Sequence, residues 1–384
     1  MSNSFYVSTT GSDSNAGTLA APFATLAKAQ EEASTGDTVY IRGGTYSNFT
    51  IAASTDLYNY VHKFTKSGIA YRTYNSSETP IFDFSSITTD KRVTAFYIPS
   101  GVTDVYFLGI TVTGVPVGSQ KQSECFRIEG HAKFNQVVCC NNSAIGFYFT
   151  GKSATGSCTK CDAYNNTGVS GVSAGNIDGF GAHGNGVTFT KCRAWNNSDD
   201  GFDCISSYGS NTFDSCWSFS NRGAGDGNGF KIGGWGKDVI TFEPPAHVVK
   251  NCIAAHNKAM GFYANHQPGK AATWTYNTAY NNSKENFNML ECATISDTTD
   301  ISGTREVLHY NLAYLDNELT NADLPAANNT NNSWNLSSTM SSSDFQSLDI
   351  SQLSEDRRSD GEMPTITFMQ PTTSSDFSGL GYSN

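Results

Sequence analysis

In the run Asn196-Asn-Ser-Asp199-Asp200-Gly-Phe-Asp203 three carboxylates fall within five residues, with no basic residue among them. Such a group must take up protons, disperse or gather a cation. Carboxylate oxygens in this number suit a hard divalent ion, calcium before magnesium, because the ligands are many and all come from protein. The second residue of chemical interest is Lys231, in Gly227-Asn-Gly-Phe-Lys231. A lysine of ordinary pKa is a poor base at neutral pH, but a neighbouring dication lowers that pKa and makes the amine a proton acceptor. A third motif, Asp178-Gly-Phe180, supplies one more carboxylate.

These residues are far apart in sequence, so their meeting depends on a repeat. Six segments align, 137–142, 161–166, 192–197, 216–221, 252–257 and 277–282, and each has Asn in its sixth position. Downstream of each comes Gly146-Phe147, Gly179-Phe180, Gly201-Phe202, Gly229-Phe230, Gly261-Phe262 or the degenerate Asn286-Phe287. The steps between the asparagines, 24, 31, 24, 36 and 25 residues, are too irregular for helical repeat units. They suit a β-solenoid, in which one loop per coil lengthens without disturbing the stack. An asparagine at one fixed turn of successive coils can hydrogen-bond its neighbours above and below, forming an asparagine ladder. The Phe column is the matching apolar stack, and the Gly before it is expected to let the chain bend. Asn141, Asn165, Asn196 and Asn281 also begin Asn-x-Ser/Thr sequons.

Stacking ~4.8 Å apart turns aligned columns into contacts. One column carries Asp178, Asp200 and Asn228; another carries Asp203 and Lys231, with Tyr148, Gly181, Tyr263 and Asn288 elsewhere in it. Strict alternation puts Asp199 and Asp203 on one face and Asp200 on the other, so a bend at Gly201 is expected. Calcium held by Asp178, Asp199, Asp200 and Asp203 would bind a uronate carboxylate and acidify the hydrogen at C5. Lys231 would remove that hydrogen, and the bond at C4 would break by β-elimination. The base must be neutral, which predicts an alkaline optimum.

The remaining sequence fits one all-β domain over residues 1–384. Gly (36), Phe (24) and Tyr (18) are abundant, a mix suited to short strands and tight turns. Residues 1–50 read as a strand and a capping helix over 22–33, 51–319 as the coils, and 320–384 as a long loop, to 345, followed by a tail packed back along the helix. The net charge of −11 with no basic cluster excludes nucleic acid as partner. No run is long and apolar enough to span a bilayer, and Met1-Ser2-Asn3 lacks the parts of a signal peptide. A secreted monomer whose targeting segment has been removed is expected. The 10 cysteines match no zinc spacing and read as stacked interior residues with a few disulfides.

At this level of detail the chain resembles polysaccharide lyase family nine, the pectate lyases built on a right-handed parallel β-helix. The resemblance spans the opening Phe5-Tyr-Val-Ser, Pro22-Phe-Ala-Thr-Leu and Gly36-Asp-Thr-Val-Tyr, the core motifs, and Asp360-Gly-Glu-Met-Pro364. It implies calcium ligation by Asp178, Asp199, Asp200 and Asp203, Lys231 as catalytic base, and an acidic polysaccharide, foremost pectate, as substrate. The family also includes rhamnogalacturonan lyases. After Asp178-Gly-Phe-Gly-Ala this chain has His183 where relatives commonly place a lysine. His183, Arg222, Asn265 and His266 are the candidates for substrate contact. A β-helical hydrolase using Asp199 and Asp200 as acid and base, and a non-catalytic glycan-binding β-helix, are the competing readings.

Overall fold

The computed structural model describes residues 2–234, 244–265, 270–290, 306–315, 317–320 and 324–384. Within them the strands form three sheets of 12, 10 and 11 strands, wound as a parallel β-helix. Each strand pairs in parallel with its counterpart one coil away; the exception is the short pair of Ala53–Ser54 with Tyr58–Lys63 near one end. Strands of two to seven residues suffice because every coil presents one side chain in, one out, and then turns.

The interior explains the Phe motif. In the third sheet Phe96, Phe126, Phe147, Phe180, Phe202, Phe230, Phe262 and Phe287 stand in register and are fully buried. Consecutive rings stack at 4.8 to 5.4 Å, so each phenyl face is covered on both sides.

The asparagines form the expected file. Nδ2 of Asn142 donates to Oδ1 of Asn166, and the pattern continues through Asn197, Asn221, Asn257 and Asn282 to Asn286, at 2.9 to 3.1 Å. The residue before each of the first six ladder asparagines is left-handed: Asn141, Asn165, Asn196, Ser220, His256 and Asn281 have φ between 49° and 56°. That explains the Asn-Asn dipeptides, since asparagine tolerates this conformation best after glycine.

Three expectations are corrected. The chain does bend at Gly179, Gly201, Gly229 and Gly261, but without positive φ, so the bend alone does not call for glycine. These glycines are required by close approach, because a Cβ on Gly179 would lie 2.8 Å from the Gly201 carbonyl oxygen and one on Gly229 2.6 Å from that of Gly261. The nine described cysteines are buried and unpaired, so the expected disulfides are absent among the described residues; Cys292 lies outside them. Cys161, Cys192, Cys216 and Cys252 line one corner, and their column continues as Asn277, Asn311 and Asn332, a second file with amide contacts of 3.0 and 2.9 Å. Residues 320–345 are therefore more than a loop, since Asn329–Thr330 and Asn332 extend the stack.

A helix lies at the N-terminal end, and the tail lies along the side of the coils. Helix Leu26–Glu32, N-capped by Thr25, buries Leu26 and Ala29; it starts later than 22 because Phe23 bridges to Val7 of the first strand. The tail lays Leu353, Met363, Ile366, Phe368 and Phe377 over Trp217, Phe219, Ile253 and Leu312. Asp162, buried in the second sheet, holds the tail by pairing with Arg357 at 2.6 Å while also pairing with Arg193 at 2.8 Å.

Candidate active site

The acidic residues lie where one edge of the third sheet meets its turn. Phe180–His183, Phe202–Asp203 and Phe230–Lys231 are successive strands, and the register sets Gly181 beside Asp203 and Asp203 beside Lys231. The strand begins only at Phe202, so Asp199 and Asp200 belong to the bend before it and turn to the same side as Asp203. Gly201 sits in that bend, and a side chain is excluded there by close approach, since a Cβ would lie 1.9 Å from Ser218 Oγ.

One oxygen of each carboxylate is fixed by backbone. Asp178 Oδ1 accepts from the Asp200 N–H at 3.1 Å, Asp199 Oδ1 from Asp226 at 2.6 Å, Asp200 Oδ1 from Asn228 at 2.7 Å and Asp203 Oδ1 from Ile205 at 2.7 Å. The second oxygens are left for another partner. Ligand atoms of Asp178, Asp199 and Asp200 lie within 4.8 Å of one another, as do those of Asp178, His183 and Asp203.

All four aspartates are buried, and burial works against their charge. Asp178 is pushed well above the usual carboxylate range by burial and then by the charges of Asp199, Asp203 and Asp200. Asp199 is pushed up to about 8 by burial and Asp200. Asp200 is raised by burial, with Lys231 opposing. A cluster that tends to hold protons in this way is short of positive charge.

Lys231 supplies part of it. Its Nζ is 3.2 Å from Asp200 Oδ2, 3.4 Å from Asp226 Oδ2 and 3.7 Å from Asp203 Oδ2. Burial would lower the amine's pKa, but Asp200, Asp203 and Asp226 outweigh it and hold the amine charged well above its ordinary value. A cavity of about 470 Å³ opens over Lys231, Asp178, Asp199, Asp203 and His183, walled by Tyr148 and Gln122 among others. His183 donates from Nδ1 to the Ile205 carbonyl, and burial keeps its ring neutral, below its ordinary pKa.

Arg222 and Asn265 do not join the cavity. Arg222 is exposed and donates to the His256 carbonyl at 3.1 Å. Asn265 is buried and donates to the Gly233 carbonyl at 3.0 Å, bracing the backbone. His266 lies outside the described residues. Sequence reasoning missed Asp226, whose backbone and carboxylate engage both Asp199 and Lys231; its place in the glycine-rich stretch Gly223–Gly227 before the lysine was the available signal.

A family model described as the Pel9A-like right-handed β-helix region matches residues 5–311. The chain belongs to this family, polysaccharide lyase family nine. It is 28% identical to pectate lyase PEL9 of Emericella nidulans over 412 aligned residues, covering 95% of this chain and 92% of the relative. Against pectate lyase L of Dickeya chrysanthemi it is 28% identical, with 98% and 85% covered. Among solved structures, a rhamnogalacturonan lyase superposes with a TM-score of 0.88 at 36% identity over 99% of both chains. Pectate lyase Pel9A superposes at 0.79 with 25% identity, covering all of this chain and 92% of its own. The chain is thus an enzyme of the polysaccharide lyase class with a right-handed helix.

Proposed function

We propose that the chain cleaves a uronate-bearing polysaccharide outside the cell by calcium-dependent β-elimination, with Lys231 as general base. The observation that carries this reading is the meeting of a largely covered lysine with four buried carboxylates, three of which line one cavity with it; each carboxylate has one oxygen tied to backbone, and the second oxygens of Asp200 and Asp203 face the Lys231 amine. Oxygen donors in excess of the local positive charge fit a hard cation. Asp178, Asp199, Asp200 and Asp203 would hold it, and Asp178 and Asp199, which burial inclines toward the protonated form, would give up protons to do so. Bound there, calcium would draw electron density from the substrate carboxylate and make the hydrogen at C5 more acidic.

The residues of the chain account for the remaining chemistry. Lys231, neutral at the moment of reaction, takes the C5 proton on Nζ. The electron pair forms the C4–C5 double bond, the C4–O bond breaks, and the leaving oxygen takes a proton, giving a saturated end and an unsaturated end. Asp226 lies close enough to Lys231 to stabilise the ammonium that results.

The expected substrate is pectate. A polymer in which uronate alternates with neutral sugar is favoured by one observation: Lys231 is the sole cationic residue lining the cavity among the described residues, and His183 is neutral. The test is incubation with polygalacturonate, rhamnogalacturonan and glycosaminoglycan-type polymers, each with calcium or with chelator. Unsaturated, ultraviolet-absorbing ends that form only with calcium support the reading; saturated products insensitive to chelator favour the hydrolase.

A further inference from the structure

The third sheet carries an outward-facing column that runs through the cavity and beyond it: Tyr97, Arg127, Tyr148, Gly181, Asp203 and Lys231, with Lys63 past Tyr97. Tyr148 belongs to the cavity wall, and Arg127 is the next residue outward on this column. Three coils separate Arg127 from Asp203, about 14 Å at the spacing of stacked strands. A pyranosyl unit is about as long as one such step, so a polysaccharide lying along the sheet from Lys231 passes over Arg127 a few sugars on.

Arg127 is rigidly presented there. Its guanidinium lies over the ring of Tyr58 at 4.9 Å and that of Tyr148 at 5.5 Å. Nε donates to Glu129 at 2.8 Å, and Nη1 donates to the Tyr58 hydroxyl at 3.0 Å and to the buried Glu124 at 3.4 Å. Nη2 has no partner among the described residues. Glu129 in turn accepts from the Tyr97 hydroxyl at 2.8 Å, and Arg92 donates to Tyr58 at 3.1 Å. Two guanidinium groups and two carboxylates therefore meet, and their charges cancel.

We propose that Arg127, Glu129 and Tyr97 form a distal glycan subsite that recognises the hydroxyls of a neutral sugar and disfavours a uronate. Arg127 already holds two carboxylates, and a third brought to its open edge would face the negative charge of Glu129. A hydroxyl suits the patch better, because it accepts from Nη2 and donates to Glu129 at once. Stacked rings on either side of the guanidinium keep this edge in place before the sugar arrives. The patch covers the rungs of Tyr97 and Arg127 together with Tyr60, stacked on Tyr97 at 4.2 Å. A chain alternating uronate with neutral sugar can set a neutral unit against the Arg127 and Glu129 edge, which a homouronate chain cannot.

This inference rests on the proposed function, and the test separates the two. Lys231→Ala protein, which does not turn over, is titrated calorimetrically in calcium with tetramers and octamers of homouronate and of an alternating uronate and neutral sugar chain. The alternating octamer is expected to bind roughly tenfold more tightly than its tetramer, equivalent to about 1.4 kcal/mol. Adding Arg127→Gln should abolish that gain and leave both tetramers unchanged. Adding Glu129→Gln, which keeps the size and removes the charge, should raise affinity for the homouronate octamer alone, an effect that loss of structure would not produce. The inference is overturned if Arg127→Gln leaves the alternating octamer unaffected, or weakens the homouronate octamer as much. Failure of every oligomer, tetramers included, to bind would overturn the reading of the cavity along with it.

Discussion

Replacing Lys231 by Met removes the ammonium and keeps the unbranched stem, and its two expected effects run in opposite directions. The amine is within 3.2 to 3.7 Å of Asp200, Asp226 and Asp203, with a side chain only 13% exposed. An opposite charge at such a distance attracts each carboxylate by on the order of 4 kcal/mol before screening, taking an effective dielectric near 20. A divalent cation and the ammonium compete for those oxygens, so deleting the ammonium should tighten calcium binding by at least about tenfold, or 1.4 kcal/mol. Turnover should fall by about a thousandfold or more, since positioned general bases contribute ~10² to 10⁴. Initial rates are read from the absorbance of the unsaturated product, and calcium affinity from calorimetric titration without substrate. A variant that keeps about a tenth of the activity would refute the assignment of the base. Weaker calcium binding would refute the electrostatic account of the cluster.

Three further outcomes are expected. Asn197→Ala removes donors to the Ala163 carbonyl and to Asn221 and leaves Asn166 without its acceptor, so it should cost about 2 to 4 kcal/mol in denaturant unfolding; a change within experimental error would show that the ladder adds no stability. His247 is buried and accepts from the Asn211 N–H through Nδ1, and burial lowers its pKa from 6.5 to about 4. The unfolded chain takes up this proton below pH about 6.5 while the folded chain stays neutral, so the contribution is complete above 6.5 and falls toward pH 4 by about 3 kcal/mol; His247→Gln should flatten that part of the stability profile. Finally, kcat should rise toward alkaline pH as Lys231 loses its proton, and an acidic maximum would remove Lys231 from the role of base.

Much of this architecture is legible in the sequence because a solenoid writes each column as a recurring residue. The ladder asparagines and the Phe stack repeat through the successive coils that carry the site, so alignment of the repeats gives the pairing of Asp203 with Lys231 directly. What repeats for a reason other than the obvious one is misread: the glycines answer to a neighbouring carbonyl, a contact between coils that a single segment does not display. The second file, from Cys252 to Asn277, Asn311 and Asn332, was obscured because residue type changes along it. Asp226 and the Arg127 patch escaped for a different reason. Asp226 comes from a turn whose length differs between coils, and Arg127 gains its meaning from Tyr58, 69 residues away. Arg222 is a candidate for substrate contact by its sequence, but its place beside the ladder turns it toward the His256 carbonyl.

The central claim is that Asp178, Asp199, Asp200 and Asp203 share one cation with the Lys231 amine one rung away. Crystals of Lys231→Met protein soaked with calcium and a uronate oligomer test it, with anomalous scattering to identify the ion. The expected result is one calcium among these carboxylates, bridged to the sugar carboxylate, with C5 facing the position of the missing amine. Calcium elsewhere, or a uronate whose C5 points away from residue 231, would contradict it.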